Sequence, residues 1–473
     1  MAFQLPATIS VSSWQPTELF QANLLLRIDA NAWALALAIS ALPVSLFLCE
    51  PARAEVSRPE TRALILAYAG LAMTGVLAAN SETVIMAWAL ADGLAFLILL
   101  SSAERLSTVW GAYLRYLAHL ASIGFVLLAS VPFEGAIYAD WIRQLAWILA
   151  VLLRIGLWPL HISMPQMSAS LRELGVAVRL LPPAMGLAFL SRFVAGNVPG
   201  GLRWPLIILG GLSVLIGGIR WAISHDPLRS RPFFVLVLAG VSVAGVAGAN
   251  QSGVISIAFG TMLVLLGVLL SQLEIYEQWH RYLASGAALA ALGFPWTIGH
   301  FAYTAFSKGN GLGLPGLVAW AIVGLGLSLV ALGISRSVIR QSASWSSGGS
   351  FVRNAYTAGV FLPLVILLMA GIRLGAGPGT PSVLAFALDG LTSGGGWLFL
   401  QSDHGQVLHS TASRMSLESA RFGAMISRSI GTAMEGITRF MRWLGAMLEG
   451  RAALLWVYVA LLILVLFLTG PSG

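Results

Sequence analysis

The chain is a succession of apolar runs of roughly 20 residues, the length a helix needs to cross the hydrocarbon core of a bilayer. Bounded by charges or turn residues, the runs in the first half are Ala32–Cys49, Ala63–Ala79, Thr83–Leu100, Trp110–Val131, Trp141–Trp158 and Leu174–Phe193. They continue as Trp204–Ile223, Pro232–Ala249, Val254–Leu273, Tyr282–Phe306, Leu314–Ile334, Ala355–Leu374 and, near the end, Leu454–Leu468. Only helices or closed barrels satisfy their backbone in lipid, and runs this long and continuous predict helices. Composition agrees: 58% of residues are hydrophobic and 10% charged, where a soluble domain carries about a quarter charged residues. A soluble fold is excluded.

The other exclusions are short. Cys49 is the only cysteine, so an internal disulfide, a cysteine zinc site and an iron–sulfur cluster are ruled out. The net charge of +8 sits in short loops between apolar runs, which fits membrane topology better than nucleic acid. The first thirty residues lack the pattern of a secretory signal. P-loop, dinucleotide-fingerprint and zinc-protease motifs are absent from the sequence. Catalytic residues, cofactor ligands and metal ligands are therefore not expected in this chain.

Charge placement gives an orientation. With alternating spans, one side holds Arg53, Arg58, Arg62, Arg105, Arg115, Arg172, Arg229, Arg231, Arg281, Arg336, Arg340 and Arg353. The other holds only Arg27, Arg143, Arg192, Arg203 and Lys308. The first side is predicted to be cytoplasmic and the N-terminus to lie outside the cell membrane. A further crossing at Val383–Leu400, which contains Asp389 and Gly394–Gly396, returns the Arg-rich segment from Arg414 to Arg451 to the cytoplasm. The expected fold is all-α and polytopic, with about fourteen crossings. Residues 1–31 are an extramembrane segment, 32–400 the bundle, 401–450 a cytoplasmic amphipathic helix and 451–473 a final anchor. In Leu417–Leu448, Phe422, Ile426, Ile430, Ala433, Ile437, Phe440, Leu444 and Met447 form one stripe of helical period. Such a helix lies flat on lipid phosphates, or along neighbouring subunits as a strut.

Two spans are interrupted. The first reads Arg154-Ile155-Gly156-Leu157-Trp158-Pro159-Leu160-His161, with Pro165 beyond; Pro159 removes a donor and clashes with the carbonyl four residues back, so a break is expected there. The second reads Gly293-Phe294-Pro295-Trp296-Thr297-Ile298-Gly299-His300. Broken helices at depth accompany ion sites in transporters, although proline kinks also serve packing alone. The ionisable residues inside the spans are Asp92, His119, Arg154, His161, Arg179 and His300. Arg or Asp at a helix centre costs about 2.5–3.5 kcal/mol on insertion scales, so each needs a partner or water. Asp92 and Arg154 are the natural pair if their spans are neighbours. Each histidine fits packing or proton transfer, and Arg179 fits snorkelling to the surface.

Arg154, Pro159-Leu160-His161 and Pro165 resemble the motif of the antiporter-like membrane subunits of respiratory complex I. Related subunits occur in multi-subunit sodium/proton antiporters, membrane-bound hydrogenases and bicarbonate-uptake complexes. Gly293-Phe294-Pro295 with Gly299 resembles that family's second broken helix. Leu26-Arg27-Ile28-Asp29 resembles the opening of its third helix, and Asn80 to Leu100 the helix whose essential glutamate follows a tryptophan, here Trp88. The flat helix and final span resemble the lateral helix of the distal complex I subunit. The likeness runs from about Leu24 to the end, and leaves the family's first two helices without a counterpart. It implies a hetero-oligomeric complex of membrane subunits in the bilayer, with any redox cofactor held elsewhere.

The departures bear on mechanism. The glutamate position reads Ala89, with Asp92 three residues on and on the same helical face. The first lysine position reads Arg154; in the next helix no lysine or histidine is evident and Leu181-Pro182-Pro183 is expected to interrupt it. The later lysine position reads Tyr303, with His300 nearby. Of 27 basic residues only Lys308 is a lysine. The family's mechanism uses buried lysines, whose pKa burial lowers. Arginine keeps its proton, and tyrosine, near ~10, is a poor carrier. Three readings follow: a translocating or coupling subunit with Asp92, Arg154, His161 and His300 on its pathway, a non-conducting scaffold or docking subunit, and a stand-alone secondary transporter. The flat helix argues against the last.

Overall fold

The computed structural model describes residues 6–11, 24–29, 32–52, 58–101, 106–130, 139–158, 172–223, 227–249, 253–273, 279–302, 313–340 and 349–374, with Gly390 and Ser393. Pro159, His161, Pro165, Tyr303, nearly all of Val383–Leu400, the flat helix Leu417–Leu448 and the run Leu454–Leu468 lie outside the described residues. The chain divides into two compact units, Met1–Gln401 and Ser402–Gly473, and every described residue belongs to the first.

Twelve α-helices form most of the described part of that unit. They are α1 (Ala32–Cys49), α2 (Pro59–Leu77), α3 (Ser81–Ser101), α4 (Leu106–Ser130), α5 (Ala139–Ile155) and α6 (Arg172–Phe189). The rest are α7 (Gly200–Ile223), α8 (Pro227–Ala249), α9 (Val254–Gln272), α10 (Trp279–Ala291), α11 (Leu314–Arg340) and α12 (Ser350–Arg373). Among the described residues, nine helices are long and apolar enough to cross a membrane by length and composition. The protein is an integral membrane protein.

The helix starts follow from local chemistry. Asp29 Oδ1 accepts the Ala32 N–H at 2.7 Å ahead of α1, and Asn80 Oδ1 accepts the Thr83 N–H at 3.2 Å ahead of α3. Each satisfies an amide that a first turn leaves without an intrahelical partner. Pro59 begins α2, where its missing donor costs nothing.

Burial sorts the helices into layers. α6 and α9 are buried on every face, as all-round apolar helices must be. α1 packs against α2, α6, α9 and α12, while α7, α8 and α11 form a second packed group. α3 is two-sided: Trp88, Ala91, Asp92 and Ala95 face inward, whereas Met86, Leu90 and Leu97 are exposed. An exposed apolar face of that kind suits lipid or a neighbouring subunit.

Ahead of the helices, Ala7–Val11 and Leu24–Ile28 form an antiparallel hairpin, in register Ala7↔Ile28 and Val11↔Leu24. Leu25 donates to Thr83 Oγ1 at 2.9 Å and accepts from Ala79 N–H at 2.8 Å, which fastens the hairpin to the α2–α3 turn. Pro182 and Pro183 do not interrupt α6, which runs helical through both and ends in a π-helical turn at Leu190–Val194. Arg115 is not in a loop; it lies within α4.

Candidate functional site: a buried carboxylate between arginine and histidine

The site is assembled from pairs four residues apart, which share one helical face. On α3 that pair is Trp88 and Asp92, both buried. On α4 it is Arg115 and His119. Arg154 arrives from the last turn of α5. Asp92 Oδ2 accepts a hydrogen bond from Arg154 Nη1, and the two side chains are fully buried. The other oxygen, Oδ1, lies 2.8 Å from His119 Nδ1, whose side chain is 8% exposed. An ionised carboxylate only accepts, so the proton of His119 sits on Nδ1. The Arg154 guanidinium lies over the Trp88 ring, Cζ 4.4 Å from its centroid, a cation–π contact that caps the charge from one side.

A second arginine completes the field. Arg115 and the buried Tyr68 of α2 both interact electrostatically with Asp92. Arg115 Nη2 donates to the Val178 carbonyl at 3.0 Å. That carbonyl is the one Pro182 leaves without its helical donor, since proline has no N–H to offer four residues back. The proline pair thus supplies an acceptor inside the bundle instead of ending the helix. Among the described residues, Tyr68 Oη, Trp88 Nε1, and Arg154 Nε and Nη2 are buried with no hydrogen-bond partner.

The first break is made by a glycine. α5 stops at Ile155, and Gly156 takes φ +65° while Gly156 N and Leu157 N both donate to Leu152 O, at 3.1 and 3.3 Å. This is a left-handed helix stop, which glycine makes without steric cost. Pro159, where the break was expected, lies outside the described residues; the helix ends at Ile155, whose carbonyl is the one four residues before that proline. Arg154 sits one residue before the end of α5. A Cβ on Gly186 of α6 would meet Ile155 Cγ2 at 2.7 Å and Arg154 Cγ at 3.1 Å, so α6 presses directly on this stop.

The second break follows Ala291. Gly293 has φ +84° and Trp296 φ +67°, and helix resumes at Ile298. Pro295 lies within the turn. His300 is fully buried, with Nδ1 3.2 Å from the Gly293 carbonyl, and Thr297 Oγ1 donates to Phe294 O at 2.6 Å. Both side chains satisfy backbone that the break exposes. The bond described for His300 is to the break itself, whereas Asp92 and Arg154 come together with His119.

Ala89 is exposed, pointing away from the cluster, so a carboxylate there would not meet Arg154. Asp92 is on the buried face and does. His119 was visible in the sequence as one intramembrane histidine among several, but its place beside Asp92 was not. The spacing Arg115–His119, matched to Trp88–Asp92 on the preceding span, was the available signal.

Solved structures show this arrangement of helices. The chain aligns over its full length, at 14% identity and a TM-score of 0.70, with a chain in the structure of the Mrp complex from Dietzia sp. DQ12-45-1b. It spans 59% of that chain. The chain shares its fold with the subunits of membrane complexes. With the membrane-bound sulfane sulfur reductase, an archaeal respiratory membrane complex, the TM-score is 0.59 at 14% identity, covering 97% of this chain and 91% of the other. With respiratory complex I from Thermus thermophilus the TM-score is 0.55 at 17% identity, covering 78% and 86%. No family model and no curated protein matches the sequence.

Proposed function

We propose that the chain is a membrane subunit of an antiporter-type, multi-subunit complex, in which it takes part in proton or cation translocation or in its coupling. The observation that carries this reading is a single buried carboxylate shared between Arg154 and His119 at a helix break. The fold shared with chains of the Mrp complex, the sulfane sulfur reductase and complex I supports the multi-subunit setting. Arg154 keeps its proton and acts as a fixed counter-charge. The exchangeable proton then belongs to the His119–Asp92 hydrogen bond, because the imidazole has two ring nitrogens that can each hold or release a proton, whereas the guanidinium of Arg154 does not exchange its own. Following the positive-inside rule, the proposed orientation has the N-terminal side outside the cell membrane and residues 401–450 in the cytoplasm.

In the fraction of the complex that assembles, Asp92→Asn should abolish coupled ion transport. Unchanged transport would refute the reading. A second reading, a non-conducting scaffold or docking subunit, is favoured by the replacement of an exchangeable lysine by arginine at position 154. It predicts that the same substitution lowers assembly and leaves transport per assembled complex intact.

A further inference from the structure

A cavity of about 180 Å³ opens where the hairpin meets the ends of α1, α2, α6 and α9. Asp29, Ser191 and Arg192 line it, with Val76 and Ala188 deeper in the helices. Its polar wall is built. Arg192 donates to the Ala78 and Arg27 carbonyls and pairs with Asp29 Oδ2 at 3.3 Å, while Asp29 also caps α1. Ser191 and Arg192 lie in the π-helical turn Leu190–Val194, a local widening that recurs at functional sites. The Asp29–Arg192 pair balances its own charge, so the wall selects neither sign. The volume exceeds what one water needs, and the wall offers the several polar partners that ordered water requires.

Below Val76 and Ala188 the surroundings turn apolar and aromatic. Gly75, the residue before Val76, approaches Met185 and the Trp88 ring. Phe189, the residue after Ala188, has its ring centroid 5.2 Å from that of Trp88 and stacks on Phe193 at 4.5 Å. The Trp88 ring also carries the Arg154 guanidinium, with Cζ 4.4 Å from its centroid. Trp88 therefore touches both Phe189, the chain neighbour of the cavity residue Ala188, and Arg154 of the charged pair.

We infer that this cavity is a water-filled vestibule that leads from the hairpin face to the Asp92–Arg154 pair, closed at its floor by Trp88 and Phe189. An apolar constriction of that kind gates by excluding water, and rotation of one ring opens it. The inference adds to the proposed function the side from which the pair is reached. Its test reads access instead of transport, so either can fail while the other stands.

Cys49, the sole cysteine, is fully buried, and a Cys49→Ser background frees the chain for accessibility mapping. Single cysteines are placed at Ile9 on the exposed hairpin, at Ser191 and Val76 in the cavity, and at Ala91 beneath Trp88. Sealed vesicles bearing the full chain with its partners are treated with a charged, membrane-impermeant methanethiosulfonate. Ile9→Cys marks the hairpin side. Ser191→Cys and Val76→Cys should react from that same side, and Ala91→Cys only when Trp88→Ala is added, with labelling raised at least tenfold. The inference is overturned if both cavity positions stay unlabelled while Ile9→Cys reacts, or if they react from the opposite side. Labelling of Ala91→Cys with Trp88 in place removes the seal from the account.

Discussion

Replacing Asp92 by asparagine keeps its shape and removes one charge from a pair that is fully buried. Arg154 then holds an unpaired cation, and breaking a buried pair from one side costs about 3–5 kcal/mol. The Trp88 face offsets about 0.5–2 kcal/mol of this, so the loss dominates. Asparagine adds a second mismatch. Its carbonyl accepts, but its amide donates, while Arg154 Nη1 and His119 Nδ1 are both donors in the present geometry. His119 must move its proton to Nε2 to accept from the amide, a change visible in nitrogen chemical shifts. Arg154→Met leaves Asp92 as the uncompensated charge, at a similar cost. The double variant leaves neither. Unfolding of the purified chain by dodecyl sulfate in detergent micelles, measured for wild type, both singles and the double, should give a coupling energy near ~3 kcal/mol, roughly a hundredfold in the folded ratio. Additivity of the two singles to within about 0.5 kcal/mol would refute the pairing argument.

Other substitutions test the supporting contacts. Arg115→Met leaves the Val178 carbonyl without a partner and should lower stability by about 1–3 kcal/mol; adding Pro182→Ala returns the helical N–H and should recover most of that in the same unfolding assay. Gly186→Ala drives a methyl into Ile155 and the stem of Arg154, costing about 1–3 kcal/mol and weakening ion transport in the assembled complex together with stability. His300→Ala leaves the Gly293 carbonyl unsatisfied at the second break, again about 1–3 kcal/mol, and should speed amide exchange of residues 289–301 without altering exchange around Asp92.

The membrane character and the two breaks were legible in the sequence because their signals are local: runs of bilayer length, and Gly or Pro inside them. The Asp92–Arg154 pair was legible as chemistry, since two opposite charges in apolar spans need each other. What was not legible depends on neighbours far along the chain. The break expected from Pro159 falls on a residue outside the described ones; within them α5 ends at Ile155 with Gly156 left-handed, and α6 approaches that stop closely through Gly186. Pro182 and Pro183 read as an interruption, yet the carbonyl that Pro182 frees is met by an arginine 63 residues upstream. The same contact gives a partner to Arg115, which lies inside α4. His119 could not be tied to Asp92 until α3 and α4 were seen side by side. The hairpin strands carried no strong turn signal and are held by the α2–α3 turn, which the sequence does not associate with them.

The central claim is that the exchangeable proton of this subunit lies on the His119–Asp92 hydrogen bond, with Arg154 as a fixed charge. The most direct measurement is ion-coupled proton movement in proteoliposomes of the intact complex carrying His119→Gln, which can still donate to Asp92 but cannot take up a second proton. The account predicts that transport falls by at least tenfold while subunit composition is unchanged. Transport at the wild-type rate in a fully assembled His119→Gln complex would contradict it.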